Sequence, residues 1–175
     1  MKGRIRDIEL RVLSALMIDG RMSDRALAKK LGVSQPTVSR VRTKLEKEGY
    51  IREYTAIPDL AKLGYEILAL TFVKFKRVSG EKAKLARKVA EEILVDGLFN
   101  VVVFQTGISP GYDGLLASYH KDYTSYVKML DHLKRSALEV DRIDNYLVSL
   151  QDPISNKPLT YKSLAKHILT REKPA

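Results

Sequence analysis

Ser23 and Ser34 stand eleven residues apart, and each opens a stretch with helical spacing. Serine makes a good N-cap because its short side chain accepts a bond from a free backbone N–H of the first turn. From Ser23 the helical pattern reaches Leu31, and Gly32 follows where a tight turn needs a positive φ. From Ser34 it runs to Glu48, with Pro36 in the first turn, where a missing N–H costs nothing, and Gly49 as its stop. Residues 24–44, DRALAKKLGVSQPTVSRVRTK, therefore have the spacing of a helix-turn-helix, two helices packed steeply across a short turn. Ala28 is small where the helices touch, and Leu27, Leu31, Val33, Val38 and Val41 are apolar where the crossing must be buried. On the first of the two helices the pattern puts Ala26, Leu27, Lys30 and Leu31 inward. A preceding helix, from about Ile5 to Ile18, offers Ile8, Val12, Ala15 and Leu16 on one face, and Asp19-Gly20 ends it.

An ordinary helical hairpin would have the same apolar spacing. It would give no reason for the other face of the last helix, which presents Ser34, Gln35, Thr37, Arg40, Thr43, Lys44 and Lys47. Short hydroxyl, amide and cationic groups are the types that contact phosphates and base edges. The expected DNA-contact set is Ser34, Gln35, Pro36, Thr37, Ser39, Arg40, Thr43, Lys44 and Arg52. Residues near the start of a recognition helix point into the major groove, so Gln35 and Thr37 are expected at base edges. Arg40 suits a guanine or a phosphate, and Ser34, Lys44 and Arg52 suit phosphates. Lys29 and Lys30 fit the backbone of a duplex and a plain solvated face equally well. The charge agrees: Lys and Arg number 31 against 21 Asp and Glu, a net +10, and residues 1–57 hold +6 of it. A surplus of this size favours an anionic partner.

After Gly49 the period changes. Tyr50 to Ala56 alternates as a short strand, and Pro58, Asp59 and Gly64 mark a linker over residues 57–65. Glu66–Lys76, Phe99–Thr106, Tyr112–His120 and Ile143–Leu150 read as strands, and Glu81–Leu94 and Tyr123–Ser136 as helices. The order β-α-β-β-α-β is the split βαβ arrangement. The expected fold class is α+β: a winged-type helix-turn-helix over residues 1–56, then a ferredoxin-like βαββαβ domain over residues 66–150. Residues 151–175 form a tail in which Tyr161–Leu169 has the spacing of one amphipathic helix.

Several classes are disfavoured. Without cysteine there is no disulfide, thiolate zinc site or cysteine nucleophile. His120, His132 and His167 lack metal-ligand spacing, and no nucleophile elbow or phosphate-cradling glycine loop appears. No cofactor, metal or catalytic residue is expected. The longest uncharged stretch, Gly97–Tyr112, has 16 residues with three Gly and one Pro, short of the ~20 apolar residues of a membrane span. The start of the chain is broken by charges and lacks a signal-peptide pattern, so a cytoplasmic protein is expected.

The stretch from Leu13 to Tyr65 resembles the Lrp/AsnC family of bacterial and archaeal transcription regulators. The resemblance rests on Ser34, Thr37, Val38, Ser39 and Arg40, on LEKEGYI from Leu45 to Ile51, and on KLGY at residues 62–65. It continues more loosely to about residue 150. It implies a homodimer formed through the sheet of the second domain, often assembled into octamers. It also implies an amino-acid-like effector bound near the loop after the second strand, where Thr106, Gly107, Tyr112 and Asp113 are the expected contacts. Ile108, Ser109 and Pro110 stand as an insertion in that loop, and Glu139 and Asn145 stand where the family pattern has Gly and Thr. Turn glycines with no ligand are the alternative reading of Gly107 and Gly111. Two functional alternatives also stay open: a sirohaem-decarboxylase-like enzyme on the same architecture, and a DNA-compacting protein of low sequence specificity.

Overall fold

Both serines cap the helices they precede. In the computed structural model, Ser23 Oγ accepts from the Ala26 N–H at 3.2 Å and Ser34 Oγ from the Thr37 N–H at 3.3 Å. The structure describes residues 5–77, 79–95, 100–107, 109–152 and 160–169, and the chain divides into two compact units. The first comprises Met1–Pro58 and Pro158–Ala175, the second Asp59–Lys157.

In the first unit, α1 (Asp7–Ile18), α2 (Asp24–Leu31) and α3 (Gln35–Lys47) enclose a core of Val12, Ala15, Leu16, Leu27, Ala28, Val38, Val41 and Leu45. Gly32 closes α2 at φ 69°, the left-handed conformation a side chain disfavours. On α2 the buried pair is Leu27 and Ala28, whereas Ala26 and Lys30 face solvent. Leu31 and Val33 pack against the same core but stay partly exposed. The strand expected over Tyr50–Ala56 does not form: residues 52–59 have no regular structure and no paired strand. Tyr54 instead packs back on α3. Its hydroxyl donates to Glu46 Oε1 at 2.9 Å, and its ring lies 5.9 Å from the Arg42 guanidinium.

The tail also differs from its periodicity. Residues 161–166 are successive turns that end in a 3-10 turn, His167–Leu169, rather than one α-helix. Ala165 is fully buried, and its carbonyl accepts a 2.6 Å bond from Ser14 Oγ, a buried hydroxyl on α1. One small residue and one carbonyl therefore meet α1 together. Ending the chain at Asp152 removes this acceptor. The expected cost is ~0.5–1.5 kcal/mol for the lost hydrogen bond, whose hydroxyl then meets water, read as a lower melting temperature of the first unit; an unchanged melt would contradict the contact.

The second unit holds β1 (Ile67–Phe75), α4 (Gly80–Val95), β2 (Val101–Thr106), β3 (Gly114–His120), α5 (Tyr123–Arg135) and β4 (Val140–Ser149). Phe99 and Ile108 lie outside the described residues. The sheet order is β2-β3-β1-β4, antiparallel throughout. Ala69 and Val73 of β1, with Leu116 of β3, pack under Tyr126, Met129 and Leu133 of α5, and Val89 and Ala90 of α4 join the same cluster. Alternation turns Leu68, Leu70 and Phe72 to the opposite face, which neither helix covers. Glu139, where the resemblance leads one to expect glycine, adopts φ 51°.

His120 is buried beneath α5, 2.8 Å from Ser118 Oγ, with its ring edge-on to Tyr126. Burial lowers its pKa below the usual 6.5, and the Asp122 charge offsets this only in part. Below pH 6.5 the unfolded chain therefore takes up a proton that the native ring resists, and stability falls as pH drops through that window. Denaturant midpoints of wild type should decline from pH 7.5 towards pH 5.5, and His120→Gln should flatten that slope.

Candidate nucleic-acid interface

The cap at Ser34 starts α3 so that its buried positions are Val38, Val41 and Leu45. The opposite stripe, Pro36, Ser39, Arg40, Thr43 and Lys47, is exposed, as is Gln35 at the first turn. Arg40 and Lys47 make no ion pair or hydrogen bond among the described residues, nor do Arg25, Lys29, Lys30 and Arg52, all exposed. Unpaired cations beside hydroxyl and amide groups, on a rigid helix, are what a polyanion would neutralise. Ser34 and Thr37 are less free. Their hydroxyls bond each other at 2.8 Å while Ser34 caps the helix, which leaves the remaining lone pairs and the Thr37 methyl for a ligand.

Two cations of α3 point elsewhere. Arg42 lies 2.8 Å from Asp24 Oδ1 and donates to the Met22 carbonyl at 2.7 Å, bracing α3 against the start of α2. Lys44, expected at a phosphate, has a part-exposed side chain whose ammonium is engaged within the protein. Its Nζ donates to Glu9 Oε1 at 2.9 Å and lies 3.7 Å from Glu48. Glu9 is 1% exposed. Its carboxylate also accepts from the Arg6 backbone N–H at 2.8 Å and from Arg6 Nε at 2.6 Å. Burial alone would raise its pKa, but the Arg6 N–H, the Lys44 ammonium and the Arg6 guanidinium outweigh that and hold it at about 2. The signal for this site is a carboxylate at position 9 within the buried spacing of Val12 and Leu16, which the apolar reading of α1 passes over.

The second unit has a cleft of about 510 Å³ at one end of the uncovered sheet face. It brings together Thr106, Gly107, Tyr112 and Asp113, with Phe72, Asp144 and Tyr146 as further walls. Asp113 does not offer a free carboxylate. Oδ1 accepts from Lys74 at 2.8 Å and Oδ2 from the Phe75 N–H at 3.0 Å, and these bonds lower its pKa. These bonds fasten the loop to β1. Tyr112 donates to Asp144, its ring centroid is 5.5 Å from that of Phe72, and the Arg142 guanidinium lies 5.3 Å from it. Asp144 and Arg142 belong to β4, outside the loop whose glycines drew attention. Among the described residues no His, Asp or Glu cluster could hold a metal ion, and no helix is long and apolar enough to cross a membrane.

A capped three-helix unit with an exposed basic recognition helix, followed by a βαββαβ sheet, defines a two-domain DNA-binding regulator. Residues 5–52 match the winged helix-turn-helix DNA-binding model. The chain is 37% identical over 124 residues to the Bkd operon transcriptional regulator of Pseudomonas aeruginosa, covering 70% of this chain and 76% of that protein. An AsnC family transcriptional regulator from Agrobacterium tumefaciens superposes with a TM-score of 0.71 at 22% identity, over 91% of this chain and 99% of its own. A Neisseria meningitidis regulator solved with L-Met gives 0.73 at 18% identity, over 92% and 99%. The chain belongs to the Lrp/AsnC family of transcription regulators. It spans about half to two-thirds of the length of the first curated relatives it matches.

Proposed function

We propose that the protein is a sequence-specific DNA-binding transcription regulator that acts as a homodimer or a higher assembly of dimers in the cytoplasm. The observation that carries this reading is the solvent-facing stripe of α3, where Arg40 and Lys47 stand without protein partners among Gln35, Ser39 and Thr43. In this reading α3 lies in the major groove, with Gln35, Thr37 and Arg40 towards base edges. Ser34, Pro36, Ser39, Thr43 and Arg52 lie along the sugar-phosphate walls. Lys44 leaves the contact set because Glu9 holds it.

One helix-turn-helix makes few contacts, so two are joined through the uncovered sheet face and gain from effective concentration. Their half-sites then lie one or more helical turns apart, about 34–36 Å per turn. The cleft beside Thr106, Gly107 and Tyr112 receives a small amino-acid-like effector. The L-Met complex of a protein with the same fold supports the ligand class. The effector acts by binding one arrangement of dimers more tightly than another, as any ligand-driven shift requires. The protein's work is binding and switching rather than catalysis.

Selection of bound fragments from random DNA, followed by sequencing, tests the central claim. A two-fold motif with half-sites at helical spacing is the expected result. Failure to retard any duplex in dilute buffer would overturn it.

A further inference from the structure

We infer that Glu9 is a positioning residue that withholds Lys44 from DNA and thereby sets which cations of α3 count in binding. The inference rests on the DNA-binding reading above and concerns a residue of α1, outside the expected contact set. Glu9 is enclosed by the helix core and accepts three donors, one of them Lys44 Nζ at 2.9 Å. A buried carboxylate that loses a partner is left undercompensated in a medium that solvates charge poorly. A phosphate at the protein surface, screened by water and salt, offers the ammonium less in exchange. The backbone agrees with the side chains. Lys44 lies three residues after Val41 and directly before Leu45, both buried, so its stem starts on the inward flank of α3. Arg40, Thr43 and Lys47 occupy the exposed stripe beside it.

Two effects follow from one ion pair. Lys44 is removed from the set of phosphate-neutralising groups, although sequence position and residue type both fit it for that role. The pair also spans α1 and α3, so it resists rotation of α3 about its axis and keeps the Arg40 face outward.

Salt dependence separates this role from plain structural support, because each phosphate neutralised adds about 0.9 to the slope of log K against log salt. Titrations of the intact protein with one duplex, from about 50 to 200 mM salt, compare wild type with three variants. Circular dichroism at the same temperature shows whether each is folded. Lys44→Met should keep the wild-type slope. Glu9→Gln, which frees the ammonium, should steepen it by about 0.9, and the double variant should return to the wild-type value. A slope flattened by Lys44→Met overturns the inference, and this comparison needs no folded Glu9 variant. A folded Glu9→Gln protein with the wild-type slope overturns it equally. Absence of binding by wild type would instead remove the DNA reading itself.

Discussion

Leu70→Asp is expected to divide the protein into protomers and to weaken binding to a duplex carrying both half-sites by about 10²–10⁴-fold. Leu70 sits mid-strand in β1, paired with Ala117 of β3 and Tyr146 of β4 on the face that α4 and α5 leave uncovered. In a joined face the new carboxylate would be buried without a partner. In a lone protomer it meets water, so the fold should survive. Sedimentation reads the first effect, and titration with one-site and two-site duplexes reads the second. Affinity for a single half-site should barely change, because the recognition helix is untouched. A variant that stays dimeric would show that this face is not where the copies meet.

Arg40→Ala should cost about 1–3 kcal/mol if the guanidinium grips a guanine, with the loss confined to one base position. The side chain has no competing partner within the chain, so its removal releases nothing and strains nothing. Binding measured against a panel of single-base operator variants gives the answer. A penalty concentrated at one position assigns a base contact. An even penalty, with a salt slope flatter by about one unit, assigns a phosphate. Comparable affinity across the panel and no loss against wild type would remove Arg40 from the interface.

The helix-turn-helix could be read from the chain because its determinants are local. Ser23, Gly32, Ser34 and Gly49 each act on backbone groups within a few residues, and spacing gives most of the buried set, although it turns Ala26 and Lys30 inward and passes over Glu9. The succession of elements in the second unit was legible for a similar reason, since each strand and helix shows in the period of its own apolar residues. What escaped were the partners of charged groups. Lys44 and Asp113 have the residue types that phosphate and ammonium ligands call for. Their actual partners lie 35 and 39 residues away along the chain, on other elements. Periodicity cannot signal such pairs, because a charge on a half-exposed flank looks the same whether it faces solvent or a buried counter-charge. The tail failed differently. Leu164, Ile168 and Leu169 have helical spacing, yet the group that anchors the segment is a backbone carbonyl, which has no side-chain signature. The strand expected after Gly49 lacked a second strand to pair with, and Tyr54 found α3 instead.

The bond from Ser14 to Ala165 joins residues 151 positions apart. On the ribosome, the three helices that include Ser14 emerge long before the carbonyl that completes them. The nascent DNA-reading unit must therefore wait, its hydroxyl wet, while the whole sheet is synthesised. Its last stitch is made only after every strand of the sheet has been translated, so a chain stalled or released before Ala165 yields reading heads that melt more easily.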